Sequence, residues 1–280
     1  MITPGEEDYV KDFAYVAEHV PGYGAAISGG EPFLLENYLC YHGKEFLIFI
    51  GYPLQGLFDE TRMEKTLEGA IKRFNPSRVA LIASSIGRRD GERQHPDTYY
   101  KLDLTRLKVQ SKLKNMIQRA SRELEVEMVR EFKSEHQRLV TDFLESRRVS
   151  EGTRYIFGKI QEYLSSVPTA WILNARTRDG RLAGYDIAEF GAKNYAFYMF
   201  NFRSRQNAVP GTSDLLLHEL LQEAKHQGKL FFNLGLGVNP GVAFFKRKWG
   251  GQPFLSHESV LFGLRRPSPF DAFFQGLFRG

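Results

Sequence analysis

The chain is 280 residues long, with 42% hydrophobic, 14% aromatic and 25% charged residues, the mixture of an ordered globular protein with length enough for two cores. Its one cysteine, Cys40, excludes an intramolecular disulfide framework and a multi-cysteine zinc or iron–sulfur site. The longest apolar runs, Phe46–Ile50 and Tyr195–Phe200, are far shorter than the ~20 residues of a membrane-spanning helix. The acidic stretch Met1 to Asp12 lacks the basic-then-apolar order of a secretory signal. A cytoplasmic chain is expected, with contact at the inner membrane face left open.

Charge is uneven: residues 1–130 carry 18 Lys and Arg against 19 Asp and Glu, and residues 131–280 carry 20 against 14. An excess of that size suits an anionic partner such as a phosphate ester, tRNA, an acidic carrier protein or an anionic lipid. A basic but otherwise ordinary soluble surface has the same balance.

Along the chain, Phe46–Tyr52 reads as a buried strand. Asp59 caps a helix whose apolar positions Met63, Leu67, Ala70, Ile71 and Phe74 hold helical spacing until Asn75-Pro76. Arg78–Ser84 is a strand, residues 85–97 a polar loop, and Tyr99–Leu104 a further short strand. From Thr105 to Arg122 there is no acidic residue, while Leu113, Met116, Ile117 and Ala120 keep helical spacing. A basic amphipathic helix is predicted over 105–122, presenting Lys112, Lys114, Arg119 and Arg122. A strand over Glu123–Glu131 leads into two helices with apolar faces at Leu139–Leu144 and Tyr155–Leu164.

Thereafter the pattern turns to strands. Ala170–Arg176 and Arg181–Phe190 flank Asp179-Gly180, a hairpin signal, and Asn194–Arg203 continues the meander. Pro210 to Asp214 opens a helix that ends at Gly228. Leu230–Leu234 is a strand, Asn239-Pro240 starts a helix, and Pro253–Leu264 is the last strand. The expected division is 1–130, 131–266 and a tail at 267–280.

Familiar catalytic signatures are absent: no Gly-Lys-Ser/Thr phosphate loop, no Gly-x-Ser-x-Gly and no His-Glu-x-x-His. The histidines are scattered, with His218 and His226 about 12 Å apart along one helix, so no metal site is expected. Two segments remain. The helix start at Gly211, Thr212 and Ser213 offers free amides and a positive dipole end to an anion, although ordinary capping explains the same residues. The other segment runs from Leu234 to Gly251, where a strand ends in glycines and a short helix follows. There Val242, Phe245 and Trp249 make a buried face, with Lys246, Arg247 and Lys248 left as a compact basic cluster.

The order strand, PGT, helix, strand, Phe245-Lys246-x-x-Trp249-Gly250-Gly251 resembles the second half of a GNAT-type acyltransferase domain. It is most similar to the Fem-type aminoacyl ligases and the catalytic region of lysyl-phosphatidylglycerol synthases. The resemblance covers about residues 25–265, and the basic Lys112–Arg122 helix, with Asn115, Arg119 and Ala120, is similar to the helix linking the two domains in that group. It implies an α/β (α+β) chain of two tandem GNAT-like domains, each a mixed central sheet flanked by helices. Ala208 stands where acetyl-CoA enzymes of this kind carry Arg or Gln, and Lys246 where many carry tyrosine.

The implied activity is transfer of an acyl or aminoacyl group to an amine or hydroxyl acceptor, a small molecule or a lipid. The donor would be aminoacyl-tRNA, an acyl carrier protein or acyl-CoA, used as co-substrate with no tightly bound cofactor. Lys246 would stabilise the oxyanion and Glu189 would serve as base, with Asp186 the weaker choice. Donor contacts would come from Gly211, Thr212, Ser213, Asn239, Arg247 and Lys248. The alternative is a non-catalytic protein of the same fold that binds a phosphorylated or lipid ligand.

Beyond Ser268-Pro269, Phe270, Phe273, Phe274, Leu277 and Phe278 form one helical stripe flanked by Arg265, Arg266 and Arg279. Residues 269–279 suit either the interface of an anionic membrane or the protein's own body and a second copy, as in a homodimer.

Overall fold

The computed structural model describes residues 2–264; the aromatic stripe at 269–279 lies outside the described residues. The chain begins with α1 (Pro4–Phe13), a 3-10 turn (Ala17–His19) and α2 (Pro21–Ser28), then β1 (Glu31–Leu35), β2 (Tyr38–His42), β3 (Phe46–Ile50), α3 (Glu60–Phe74), β4 (Arg78–Ala83), β5 (Glu92–Arg93) and β6 (Asp97–Asp103). It continues with α4 (Ser111–Ala120), β7 (Leu124–Val129), α5 (Ser134–Ser146), α6 (Glu151–Gly158), α7 (Ile160–Ser166), β8 (Ala170–Thr177), β9 (Leu182–Glu189) and β10 (Tyr195–Arg203). It closes with α8 (Thr212–His226), β11 (Phe231–Leu236), α9 (Pro240–Lys248) and β12 (Gln252–Gly263).

Eleven strands form one path, β1-β2-β3-β4-β12-β6-β11-β10-β9-β8-β7, with β5 added against β12. Two neighbours run parallel, β3 with β4 and β10 with β11; the other pairs are antiparallel. Each parallel pair needs a crossover, and each has one: α3 in the first half, α8 in the second. The shared α/β grammar of the two halves is therefore a repeated strand–helix–strand unit. The long β12 joins them, pairing with β6 through residues 252–257 and with β4 through 258–263.

The elements follow local chemistry. Asp59 accepts the amide of Arg62 at 2.9 Å and starts α3, and Asn75 ends it in the left-handed region. Gly180, at φ +83°, turns the β8–β9 hairpin. The basic helix is shorter than the charge pattern predicts. It begins at Ser111, so Arg106 and Lys108 precede it and Arg122 follows it. The single helix expected over Tyr155–Leu164 is broken at Gly158, giving α6 and α7. Glycine, with its high helix cost, sits at that break.

In the second half, α8 and α4 cover one sheet face through Leu216, Leu220, Leu113 and Ile117, against Ala183, Ala188, Ala196 and Phe232. Helices α5, α6 and α7 cover the other face through Val140, Ile160 and Tyr163, against Ile172, Tyr185 and Ile187. Between the halves, Val10 and Val16 pack with Tyr41, Tyr52 and Tyr99. None of the described helices is long and apolar enough to cross a membrane.

Candidate functional site

Strands β10 and β11 are parallel partners for only three positions, Tyr195 with Phe231, Ala196 with Phe232 and Phe197 with Asn233. Both strands then bulge. The register of β10 against β9 shifts between Tyr198 and Phe200, and that of β11 against β6 shifts between Asn233 and Gly235. A bulge bends its strand and breaks the ladder, so past Phe197 and Asn233 the two strands part and leave an opening. Gly235 has φ +76°, and a Cβ there would lie 3.6 Å from the Lys246 ammonium and 3.7 Å from the Tyr198 carbonyl. Its amide donates to Asn233 Oδ1 at 2.7 Å, while Asn233 Nδ2 donates to the Tyr15 carbonyl at 2.8 Å.

Lys246 enters this opening from α9. Asn239 caps that helix by accepting the Val242 amide at 3.0 Å, with Pro240 at its first position. At the other end Gly250 has φ +87°, and a Cβ on Gly251 would strike the Lys246 carbonyl at 2.7 Å. The two glycines of the motif are thus required where the chain turns back tightly into β12. Lys246 is 4% exposed, and its ammonium donates to the Leu236 carbonyl, at the end of β11. Burial pulls its pKa down to about 7, opposed by the negative charge of Asp97. The Asp97 carboxylate accepts the amides of Thr98 at 2.6 Å, Gly237 at 3.1 Å and Val238 at 2.7 Å, bracing the loop that leads into α9.

The compact cluster expected at 246–248 is divided into three surroundings, because consecutive residues of a helix point about 100° apart. Lys246 is buried. Arg247 is exposed and donates to the Tyr100 hydroxyl at 3.3 Å. Lys248 pairs with Asp214 at 2.6 Å. Asp214 also accepts the indole N–H of Trp249 at 2.9 Å. Of the expected buried face of α9 only Trp249 is fully buried; Val242 and Phe245 are partly exposed, and Lys246 is buried in their place.

At the start of α8, Gly211 has φ +87°, and a Cβ would lie 3.1 Å from Met116 and 3.3 Å from Ala120. Helix α4 therefore crosses the α8 N-terminus. Thr212 is buried and donates to the Val209 carbonyl at 2.6 Å. Ser213 exchanges hydrogen bonds with Asn201 at 3.3 and 3.4 Å. On α4, Lys112, Lys114 and Arg119 are exposed, as is Arg122 just beyond it, while Leu113, Ile117 and Ala120 face inward.

The two carboxylates proposed from sequence face opposite sides of β9, because side chains alternate along a strand. Glu189 lies with Ile187 on the α7 side. Its carboxylate accepts the Gly191 amide at 2.7 Å and the Tyr163 hydroxyl at 3.1 Å, and burial raises its pKa. The structure does not bring it to Lys246; the cation whose charge it feels is Lys229. Asp186 lies with Ala188 on the α8 side, where Asn201 donates to it. Burial pushes its pKa up to about 7. The buried Tyr198 hydroxyl lies beside it, and burial, then the charge of Asp186 and its hydrogen bond, raise the Tyr198 pKa well above the usual phenol value.

Sequence reasoning missed Asp97, Tyr198 and Asp214. Asp97 sits at the end of a polar loop and Tyr198 in an aromatic strand, where neither has a spacing signal. Asp214 was legible as an acidic first-turn residue but not as the partner of Trp249.

No family model and no curated protein matches the chain. Solved structures do match over nearly its full length. L-PGS from Bacillus licheniformis superposes with a TM-score of 0.61 at 17% identity, over 99% of this chain and 97% of that one. The C-terminal domain (DUF2156) of a putative lysylphosphatidylglycerol synthetase from Agrobacterium fabrum gives 0.60 at 16% identity, over 92% and 91%. A tandem GNAT protein from the clavulanic acid biosynthesis pathway gives 0.50 at 13% identity, over 82% and 79%. The fold is the tandem GNAT fold. FemX shares it, with a TM-score of 0.57 at 10% identity over 92% of this chain and 96% of that one. Within that fold, Lys246 lies at the place where β10 and β11 cease to pair.

Proposed function

We propose that the chain is an acyl or aminoacyl transferase, with its reaction centre in the opening between β10 and β11. The observation that carries this reading is the buried Lys246 ammonium at the end of β11, in a place Gly235 leaves free of any side chain. An amine or hydroxyl acceptor attacks the carbonyl of an activated ester or thioester and gives up its proton to the base. The resulting oxyanion is met by a cation fixed in a low-dielectric site, where such a charge acts most strongly. The tetrahedral intermediate then collapses, breaking the donor's C–O or C–S bond and releasing the donor as its free hydroxyl or thiol with that proton. Leu236 and the two glycines after Trp249 hold the lysine in place, so little reorganisation is needed.

The donor carries phosphate and is aminoacyl-tRNA, an acyl carrier protein or acyl-CoA. Lys112, Lys114, Arg119 and Arg122, exposed on and just beyond α4, supply cations for it, as does the exposed Arg247 on α9. The amides at the start of α8 are partly covered by α4, which favours a donor gripped along α4 over one seated on the helix end. Asp186, beside the Tyr198 hydroxyl, is our choice of base over Glu189, whose carboxylate is already engaged by Gly191 and Tyr163. The acceptor is a small molecule or a lipid. Turnover assays with the three donor classes test the proposal, and saturable binding with no turnover would favour a non-catalytic protein of the same fold.

A further inference from the structure

Asp97 begins β6, in the half of the chain that precedes the basic helix α4, whereas Lys246 lies on α9 near the other end. Two residues after Asp97, Tyr99 pairs with Leu236, whose carbonyl holds the Lys246 ammonium. Asp97 itself reaches past that pair to the loop between β11 and α9. One carboxylate oxygen accepts the Gly237 amide at 3.1 Å and the other the Val238 amide at 2.7 Å. The approach is close: a Cβ on Gly237 would lie 2.7 Å from the carboxylate, a spacing that calls for glycine. Val238 is left at φ +56°, which strains a β-branched residue, and the charge-assisted bond from its amide offsets that strain. The loop therefore has the shape that Asp97 imposes rather than one its own residues favour. Asp97 is also the carboxylate whose charge Lys246 feels. The other groups nearby are engaged or neutral. Lys248 pairs with Asp214, Arg247 donates to the Tyr100 hydroxyl, and Asn201 donates to Asp186. His257, opposite Asp97 on β12, is held neutral by burial, with its pKa lowered to about 4, and the Tyr198 phenol is pushed well above its ordinary value.

We propose that Asp97 is a positioning residue for Lys246: it fixes the loop that presents the Leu236 carbonyl to the ammonium, and its charge keeps that ammonium cationic. The first half of the chain thereby takes part in the site through β6. The place of Asp97 in the reaction rests on the transferase reading above; its grip on Lys246 does not.

A double-mutant cycle in the full chain, with stability measured by denaturant titration at pH 6 and pH 9, tests the proposal. Lys246 is protonated below its pKa of about 7 and neutral at pH 9, so its attraction to Asp97 exists only at the lower pH. Asp97→Asn should therefore lower the denaturation midpoint more at pH 6 than at pH 9. In a Lys246→Met background the two losses should be equal, a comparison that also cancels the titration of Asp186. Val238→Gly added to Asp97→Asn should recover stability at pH 9, because the strained residue is relieved, and leave the extra loss at pH 6 in place. In transfer assays the alkaline limb of the pH profile should move to lower pH in Asp97→Asn and stay there when Val238→Gly is added, since glycine restores the loop but not the charge. Equal losses at the two pH values with Lys246 present overturn the proposal, because a carboxylate that only braced the loop would give them. A pH-dependent loss that persists in Lys246→Met overturns it as well. Full transfer by Lys246→Ala would instead refute the transferase reading and leave the outcome of the cycle as it stands.

Discussion

The Lys246 ammonium donates to the carbonyl of Leu236, at the end of β11, where that strand has parted from β10. One residue is thereby held by helix α9, by the strand end and by the close approach of Gly251. A buried ammonium is costly to desolvate, and the carbonyl, with the more distant charge of Asp97, offsets only part of that cost, as the depressed pKa records.

That cost makes stability depend on pH. With its pKa at about 7 in the folded chain, against 10.5 for an ordinary lysine, Lys246 binds more protons unfolded than folded between those values. Stability therefore rises with pH across that window, and the penalty is full below pH 7. Asp186 acts in the opposite sense. Its pKa is raised from 3.8 to about 7, so the folded state binds more protons in that window and stability falls as pH rises through it. Thermal melts should show a minimum near neutrality. Lys246→Met should remove the alkaline rise and Asp186→Asn the acidic fall, each raising the melting temperature at pH 7. Unchanged slopes in both variants would contradict the burial described.

Trp249 and Asp214 join the end of α9 to the first turn of α8. Trp249→Phe keeps most of the packing and deletes the N–H, so it should cost about 1.5–3 kcal/mol, the range for a bond to a charged acceptor. Trp249→Ala should cost roughly 3–5 kcal/mol by opening the core as well. Denaturant titration distinguishes the two, and equal losses would mean that the hydrogen bond contributes nothing.

Gly235→Ala tests the opening itself. At φ +76° an alanine is strained by roughly 1 kcal/mol, and its Cβ would come to 3.6 Å from the Lys246 ammonium. Transfer should fall far more than stability does. A variant that loses stability but keeps its rate would place the reaction elsewhere.

If the exposed cations of α4 hold a polyanionic donor, affinity should fall steeply with salt, with log K falling by about 0.7–0.9 per log unit of salt for each phosphate neutralised. Replacing Lys112, Lys114, Arg119 and Arg122 with glutamine should flatten that slope and leave the melting temperature nearly unchanged, because the four side chains are exposed. A wild-type affinity that is insensitive to salt would exclude α4 as the donor's binding face.

Much of this fold is legible in the residues. Asp59 and Asn75 bracket α3, Asp179-Gly180 marks the β8–β9 hairpin, and Phe245-Lys246 with Trp249-Gly250-Gly251 marks the end of α9. The first 42 residues are less legible. Tyr38, Leu39, Cys40 and Tyr41 of β2 are all buried, so no alternation marks that strand. Thr3 and Glu6 do form a capping box, a local signal that was available. The site divides along the same line. Lys246 is marked by its motif, but its burial depends on a tertiary turn at Gly250 and Gly251. The separation of Glu189 from Lys246 depends on which helix covers each face of β9, and no local pattern contains that.

The central claim is that Lys246 carries the transfer chemistry. Its most direct test is single-turnover transfer from each donor class by the wild type, Lys246→Ala and Lys246→Arg, with donor affinity measured in parallel. Loss of one oxyanion donor should cost ~3 kcal/mol, at least a hundredfold in rate, with donor affinity nearly unchanged. Lys246→Arg should recover little, because the larger guanidinium does not fit the narrow place beside Gly235. Turnover in Lys246→Ala within a few-fold of the wild type would contradict the account.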